Sequence, residues 1–323
     1  MERRKLGKSG IDVTPVGMGV LSIGRTQLDL PLAEGADVVG YALDRGIDFL
    51  DTAEWYQTYP YIAEALRTRR SAPGFRPPVI ASKSLDATYD GMAAAIDDMR
   101  REIGLDALDI FLLHEVREAP DFELRSGAWA CLNDMKAKGV VKAIGISTHY
   151  TDVAELNAGL PESDLLFPLI NKAGLGIRRG KGFGTKEGMA AALLKNNVCG
   201  KGVFTMKAFG GGNLTGDYVA CLDYVSALPG VDSIMVGLGK RSEVDDLVSY
   251  AEGTMERSYA PDVSHKKIRV DRGDCEGCGA CVRTCPNKAI HMDDSGVAVV
   301  DHGVCLTCGY CAPACPVRAL LLY

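Results

Sequence analysis

The sequence predicts an α/β protein in which a (β/α)8 TIM barrel is followed by a small α+β domain. Eight apolar segments alternate with helical patterns over most of the chain, and this alternation is typical of a parallel sheet covered by helices. A barrel of this kind takes about 250 residues, so a chain of 323 residues leaves room for a second, smaller unit. Two cysteine-rich runs, residues 275–286 and 305–316, fall in that remainder.

The barrel prediction depends on the count and order of its segments. The candidate strands occupy residues 13–20, 47–53, 78–84, 109–115, 143–148, 165–171, 203–208 and 233–238. Helical patterns lie between them, as in residues 31–46, 89–104, 125–139 and 242–253. A doubly wound open sheet is the rival architecture, but eight strands and the lack of G-x-G-x-x-G after the first strand weigh against it.

The ends of the barrel suggest where the two units divide. Residues 4–13 predict a small hairpin that closes the bottom of the barrel. Residues 256–267 carry a proline and several charges, a composition typical of a linker. We therefore predict a barrel over residues 1–258, a linker over 259–266 and the small domain over 267–323.

Composition limits the class of protein. Hydrophobic residues make up 47% and charged residues 24% of the chain, the balance of a soluble globular protein. A net charge of −6 argues against nucleic acid as a partner. The sequence shows no signal peptide and no apolar segment long enough to span a membrane. These features predict a cytoplasmic protein, in which clustered cysteines are metal ligands rather than disulfides.

The two cysteine runs share the spacing C-x2-C-x2-C-x3-C-P. This is the bacterial ferredoxin pattern, in which the fourth cysteine ligates the other of two [4Fe–4S] clusters. The segment resembles the two-cluster ferredoxin family over its whole length. The predicted ligand sets are Cys275, Cys278, Cys281 and Cys315 for the first cluster, and Cys305, Cys308, Cys311 and Cys285 for the second.

Two zinc sites are the competing interpretation of these runs. Zinc takes four ligands, usually as two pairs that lie far apart in sequence. Four cysteines within eleven residues, twice and each time before a proline, suit iron–sulfur cubes better. Residues 289–301, between the runs, predict a hairpin with its turn at residues 293–296.

Polar residues end three neighbouring strands of the predicted barrel. Asp51 and Tyr56 follow the second strand, Lys83 ends the third and His114 ends the fourth. Active sites of (β/α)8 barrels lie at the carboxyl ends of the strands. These four side chains are therefore expected to meet at one mouth of the barrel.

The segments GIDFLDTAEWY, VIASKS and DIFLLHE resemble the aldo-keto reductase superfamily, over roughly residues 3–255. The resemblance is strongest to the branch with a C-terminal ferredoxin-like domain. It implies a catalytic tetrad of Asp51, Tyr56, Lys83 and His114. Tyr56 would donate a proton to a carbonyl oxygen, Lys83 held by Asp51 would place positive charge beside the phenol, and His114 would orient the oxygen.

The same resemblance implies that NAD(P)(H) binds across the barrel mouth. The positions that match its contacts are Ser147, Asn171, Lys207, Gly210, Gly237, Lys240, Arg241 and Glu243. Lys207 stands where many members have a tyrosine that stacks on the nicotinamide. Glu243 stands where members that prefer the phosphorylated dinucleotide keep an arginine, so a carboxylate here is expected to disfavour a 2′-phosphate.

Three hypotheses on electron flow remain open at this point. In the first, a carbonyl reductase or alcohol dehydrogenase uses NAD(H), and the clusters serve a redox protein partner or structure. In the second, a ferredoxin-linked oxidoreductase uses a flavin or single electrons from the clusters. In the third, the barrel is idle and the protein transfers electrons. The substrate is expected to be a small carbonyl compound or alcohol.

Overall fold

The computed structural model describes residues 1–25, 27–263, 266–306 and 309–322. Its barrel is closed by eight parallel strands, which confirms the predicted fold class. The strands are Val16–Gly19, Phe49–Asp51, Val79–Ser84, Leu108–Leu113, Val141–Thr148, Leu165–Pro168, Gly202–Thr205 and Ser233–Gly237. They neighbour one another in chain order, and the eighth closes on the first with Ile234 opposite Val16.

Helices cover the outside of the barrel. They are Leu32–Asp44, Tyr59–Arg67, Tyr89–Ile103, Ala119–Leu124, Ser126–Ala137, Thr151–Ala158, Lys186–Val198, Tyr218–Ser226 and Arg241–Ala251. Two of them begin at a threonine, Thr88 or Thr185, whose hydroxyl accepts a backbone N–H three residues later. None of the helices in the described ranges has the length and apolar character needed to cross a bilayer.

Large side chains fill the interior of the barrel. Phe167 and Phe204 stack with ring centroids 4.3 Å apart, and Phe49 lies 5.1 Å from Phe204. The predicted hairpin, Arg4–Lys5 paired with Asp12–Val13, closes the bottom and adds the fully buried Leu6 to this cluster. The interior is therefore a packed core, closed at the bottom by the hairpin.

The part of the chain from residue 267 onward, here called the module, contains two antiparallel strand pairs. Ile268–Val270 pairs with Leu320–Leu322, and Ile290–Met292 pairs with Ala298–Val300. The second pair is the predicted hairpin, with Gly296 at a φ of +76° in its turn. Two short helices, Ala280–Thr284 and Cys311–Ala314, each start inside a cysteine run.

The module lies on the mouth of the barrel. Its last strand runs along the loop that follows the seventh barrel strand, where Leu322 N–H donates to Gly211 O over 2.9 Å. The Asn213 side chain donates to Leu320 O over 2.8 Å in the same contact. A side chain at Gly212 would place its Cβ 2.3 Å from Leu322 O, so only glycine allows this approach.

Candidate active site

The four predicted tetrad residues meet at the barrel mouth. Asp51 ends the second strand, Lys83 lies in the third, and His114 directly follows the fourth. Tyr56 lies in a single 3-10 turn, Glu54–Tyr56, which ends when Gln57 takes a left-handed φ of +56°. The Tyr56 hydroxyl lies 3.3 Å from His114 Nε2.

Lys83 and Asp51 form a buried ion pair below the tyrosine. Lys83 Nζ lies 2.7 Å from Asp51 Oδ1 and also donates to Thr52 O over 2.7 Å. Only 1% of the Lys83 side chain is exposed, and its ammonium lies 4.7 Å from the centre of the Tyr56 ring. Burial lowers the pKa of Lys83 and raises that of Asp51, and the pairing opposes both shifts.

Tyr56 and His114 are both held in their neutral forms. Burial, followed by the negative charges of Asp51, Asp271, Glu115 and Asp274, raises the pKa of Tyr56 well above 10.0. Burial, followed by the nearby cations Lys83, Arg125 and Lys207 and by His149, lowers the pKa of His114 well below 6.5. A neutral phenol beside a neutral imidazole is a proton donor with a hydrogen-bonding neighbour.

These two pKa shifts predict a flat pH dependence. Carbonyl reduction needs protonated Tyr56, which exists below its raised pKa, and neutral His114, which exists above its lowered pKa. Neither group changes charge between about pH 7 and 9. We expect kcat for reduction to vary less than about twofold over that interval, as measured by steady-state rates at constant ionic strength. A sigmoidal fall with its midpoint inside the interval would contradict the assignment.

A cavity of about 940 Å³ lies between the tetrad and the module. Asp51, Tyr56 and His114 line it, whereas Lys83 is buried beneath the wall. The predicted dinucleotide contacts that also line it are Ser147, Lys207, Gly237, Lys240, Arg241 and Glu243. The cavity therefore reaches from the tetrad to the start of the helix that follows the eighth strand.

Two of the predicted contacts lie elsewhere. Asn171 is fully buried, and its side-chain amide both donates to Leu175 O and accepts from Leu175 N, over 2.9 Å each. Gly210 is not part of the cavity wall either. Asn171 lies in the loop after the sixth strand, which ends at Pro168, and its side chain holds that loop at Leu175.

The Glu243 carboxylate is bound by two groups of the protein itself. Its carboxylate accepts from Gly239 N–H over 2.7 Å and from Lys266 Nζ over 3.1 Å. Lys266 comes from the segment that leads into the module. Its ammonium offsets the charge of Glu243, so the repulsion of a 2′-phosphate expected from the sequence is weakened.

Lys207 connects the barrel to the module. It adopts a left-handed φ of +64°, and its ammonium lies 3.1 Å from His149 Nε2 and 3.3 Å from Asp274 Oδ2. Asp274 also pairs with Arg318 over 3.3 Å. The ligand atoms of Glu115, His149 and Asp274 lie within 4.8 Å of one another, but the lysine already supplies a cation to two of them.

The first set of cysteines is gathered at one place in the module. Cys281 is buried, and Cys315, Cys275 and Cys278 lie close enough to it for their charges to interact. Cys315 thus joins the three cysteines of the other run, as the predicted crossing ligand requires. Ala319 N–H donates to Cys315 Sγ over 3.2 Å, the kind of contact that stabilises a cluster thiolate.

The second set shows the same arrangement within the described residues. Cys285, Cys305 and Cys311 line one small cavity, so the crossing cysteine again joins the other run. Ala289 N–H donates to Cys285 Sγ over 3.2 Å. Cys308, the predicted fourth ligand, lies outside the described residues. The chemistry and placement of the donors fit two iron–sulfur clusters.

Metal analysis tests this fit directly. Anaerobically purified protein is expected to contain about eight iron atoms and about eight inorganic sulfides per chain, since each cluster holds four of each. Iron, zinc and acid-labile sulfide would be measured on the same sample. Close to two zinc atoms with no sulfide would contradict the cluster interpretation.

Comparison with known proteins agrees with both parts of the structure. Residues 15–164 match the Aldo/keto reductase family model, and residues 274–319 match the 4Fe-4S dicluster domain model. One segment of the chain is thus similar to aldo/keto reductases, and a second is similar to 4Fe-4S dicluster domains. The predicted family resemblance is thereby confirmed for both segments.

Individual relatives match the aldo/keto reductase domain. The 6-dehydroglucose reductase of Novosphingobium aromaticivorans is 32% identical over 182 residues, and the D-threo-aldose 1-dehydrogenase of a Pseudomonas species is 29% identical over 187 residues. Each match covers 49% of this chain and 56% of the relative, so the chain spans about half the length of these relatives.

Solved structures share the barrel. The crystal structure of PA4992 from Pseudomonas aeruginosa superposes with a TM-score of 0.65 at 22% identity, covering 79% of this chain and 96% of that one. At this identity the likeness establishes the fold.

Sequence reasoning missed the residues that join the dicluster domain to the aldo/keto reductase domain. Asp274 and Arg318 line the barrel cavity although they belong to the module, and His149 is buried at 9% exposure against Lys207. The only local signal is the position of Asp274 and Arg318 beside the cluster cysteines Cys275 and Cys315. That signal gives no indication of the barrel residue they meet.

Proposed function

We propose that this protein is an oxidoreductase that interconverts a carbonyl and a hydroxyl group, with a nicotinamide dinucleotide bound in the cavity at the barrel mouth. The observation that carries the proposal is the pairing of Tyr56 and His114, 3.3 Å apart on the cavity wall, above the buried Lys83–Asp51 ion pair. This arrangement can give a proton to a carbonyl oxygen that both side chains contact.

Each tetrad residue has a physical role in the proposed reaction. A reduced nicotinamide, when bound, supplies the hydride that forms the new C–H bond, while the carbonyl π electrons move to oxygen. Tyr56 transfers its hydroxyl proton to that oxygen, and His114 orients it by hydrogen bonding. The Lys83 ammonium, 4.7 Å from the ring centre, stabilises the phenolate that remains. Asp51 fixes the lysine in place.

The cavity supports the choice of cofactor class. It is continuous from Ser147 beside the tetrad to Lys240 and Arg241 at the start of the last barrel helix. A helix start with nearby cations favours a phosphate group. The residues that would hold a dinucleotide are therefore Ser147, Lys207, Gly237, Lys240 and Arg241, without Asn171.

The names of the relatives support a small carbonyl compound or alcohol as the class of substrate. The proteins that match the barrel include a 6-dehydroglucose reductase and a D-threo-aldose 1-dehydrogenase, whose names describe carbonyl or hydroxyl chemistry on sugars. We infer a small carbonyl compound or alcohol as the substrate here.

A ferredoxin-linked oxidoreductase is the second candidate, and one observation favours it. The module contributes Asp274, Arg318 and Leu322 to the wall of the same cavity that the tetrad lines. In this version the iron–sulfur clusters, alone or with a flavin, would supply the electrons, and Tyr56 would remain the proton donor. An idle barrel with a purely electron-transferring module is disfavoured, because the tetrad residues form a connected series: Asp51 pairs with Lys83, Lys83 lies over the Tyr56 ring, and the Tyr56 hydroxyl lies beside His114.

Cofactor analysis of the anaerobic protein separates the two candidates. The protein would be titrated with NADH and NADPH by fluorescence, extracted for flavin, and assayed with a panel of small aldehydes, ketones and sugars. Turnover that needs only the dinucleotide is the expected result. If neither dinucleotide binds and turnover requires a reduced ferredoxin or a one-electron dye, the first candidate is wrong.

A further inference from the structure

The module is built as an internal repeat with matching backbone contacts. The two cysteine runs are offset by thirty residues, and each is preceded by an aspartate, Asp271 or Asp301. Asp271 N–H donates to Ala319 O over 2.6 Å, and Asp301 N–H donates to Ala289 O over 2.8 Å. Each alanine N–H in turn donates to a cluster cysteine over 3.2 Å. The two cluster sites therefore have the same backbone hydrogen bonds around them.

The charged residue after each run breaks this symmetry. Lys288 and Arg318 occupy equivalent positions, three residues after the fourth cysteine, and both have left-handed φ angles, +55° and +59°. Lys288 is exposed to solvent, whereas only 3% of Arg318 is exposed. The two residues have the same backbone conformation but differ in burial. The additional contacts that bury Arg318 therefore come from the barrel.

The residues that directly precede the two cysteine runs also differ in their surroundings. Asp274 precedes the first run and lines the barrel cavity. Its equivalent, Val304, is 44% exposed, and Leu306 and Tyr310 in the second run are 74% and 62% exposed. The first cluster site therefore lies beside the barrel cavity, although Cys278 is exposed, whereas none of the described residues from Cys285 to Cys311 lines that cavity.

Arg318 and Asp274 form ion pairs between the first cluster site and the cavity. Arg318 Nη2 lies 3.3 Å from Asp274 Oδ2, which also lies 3.3 Å from Lys207 Nζ. Arg318 Nε is buried and has no hydrogen-bond partner among the described residues. Two buried cations therefore share the Asp274 carboxylate, and Asp271 and Glu115 add negative charge nearby. Arg318 also lies close enough to Cys315 for their charges to interact.

We propose that Arg318, held by Asp274, makes the two cluster sites unequal. The first site, formed by Cys275, Cys278, Cys281 and Cys315, is the inward site beside the cavity, and Arg318 raises its reduction potential. The second site is the outward one. The physical reason is that a reduced cluster carries one more negative charge, which a nearby buried cation stabilises. The proposal needs the clusters but does not depend on the use of a nicotinamide.

Redox titration of the anaerobic holoprotein, followed by low-temperature EPR, tests this role. Arg318→Gln is expected to shift one of the two reduction waves to a more negative potential and to leave the other in place. Arg318→Lys, which keeps the charge, is expected to stay near the parent protein. Lys288→Gln is the matched control, because it removes the same charge at the equivalent exposed position, where water and salt screen it.

A second measurement identifies the inward cluster without any substitution. A soluble paramagnetic lanthanide chelate should speed the spin relaxation of the outward cluster more than that of the inward one. The wave that responds to Arg318→Gln should belong to the less affected signal. Equal shifts from Arg318→Gln and Lys288→Gln would overturn the proposal. Equal relaxation of both clusters in the parent protein would also overturn it, even if the Arg318 variant failed to assemble its clusters.

Discussion

Replacement of Tyr56 by phenylalanine is expected to lower kcat for carbonyl reduction by about 10²- to 10⁴-fold. The change removes the only hydroxyl that lies against His114 Nε2 among the described residues, at 3.3 Å, and keeps the ring that packs over Lys83. Dinucleotide affinity and iron content should stay the same. The measurement is kcat and KM under anaerobic conditions, with cofactor binding determined separately.

Tyr59→Phe is the matched control for this experiment. Tyr59 is a buried tyrosine three residues away, and its hydroxyl lies 2.8 Å from Ser82 Oγ. It is not part of the cavity wall. Its loss should cost about 1–3 kcal/mol of stability, because a buried hydroxyl loses its partner, and should leave kcat unchanged. Unchanged turnover in the Tyr56 variant would show that the tetrad is wrongly assigned.

Lys83→Met is expected to abolish turnover and to lower the free energy of unfolding of the barrel by about 3–5 kcal/mol. The substitution leaves the Asp51 carboxylate buried without its cation, which lies 2.7 Å away in the parent protein. Both effects are measured on one preparation, by steady-state assay and by denaturant unfolding followed by circular dichroism.

A second substitution separates stability from catalysis. The double variant Lys83→Met with Asp51→Asn removes both charges and should recover part of the lost stability but none of the activity. Lys142, which is 60% exposed and pairs with Asp109 at 2.7 Å, supplies a surface comparison. Its replacement by methionine should change stability by about 0–1 kcal/mol. A similarly small loss for Lys83→Met would be inconsistent with a buried ion pair.

Much of the barrel could be predicted because its signals are local. Each strand is an apolar, β-branched segment, and the polar residues at strand ends must point into the mouth once the barrel closes. That rule predicts the position of Asp51, Lys83 and His114 at the mouth, and their role as a tetrad comes from the family resemblance. The contact of Asn171 with Leu175 could not be found in this way, because it depends on how the loop after Pro168 folds.

The contacts between the barrel and the module could not be predicted from the sequence around each residue. Asp274 pairs with Lys207 of the barrel as well as with Arg318 of the module because the module lies on the barrel mouth in one particular orientation. No residue near them in sequence encodes that orientation. The cysteine spacing predicts the ligand sets, but it does not predict which cluster site lies beside the tetrad.

The shared wall of the cavity has a thermodynamic consequence. Leu322 and Arg318 of the module and Tyr56 and His114 of the barrel border the same space. A ligand that contacts both sides binds the docked arrangement more tightly than either separated unit. By mass action, such a ligand must raise the melting temperature of the barrel and delay the loss of cluster colour on heating. Both effects must grow with the logarithm of the ligand concentration relative to the same dissociation constant.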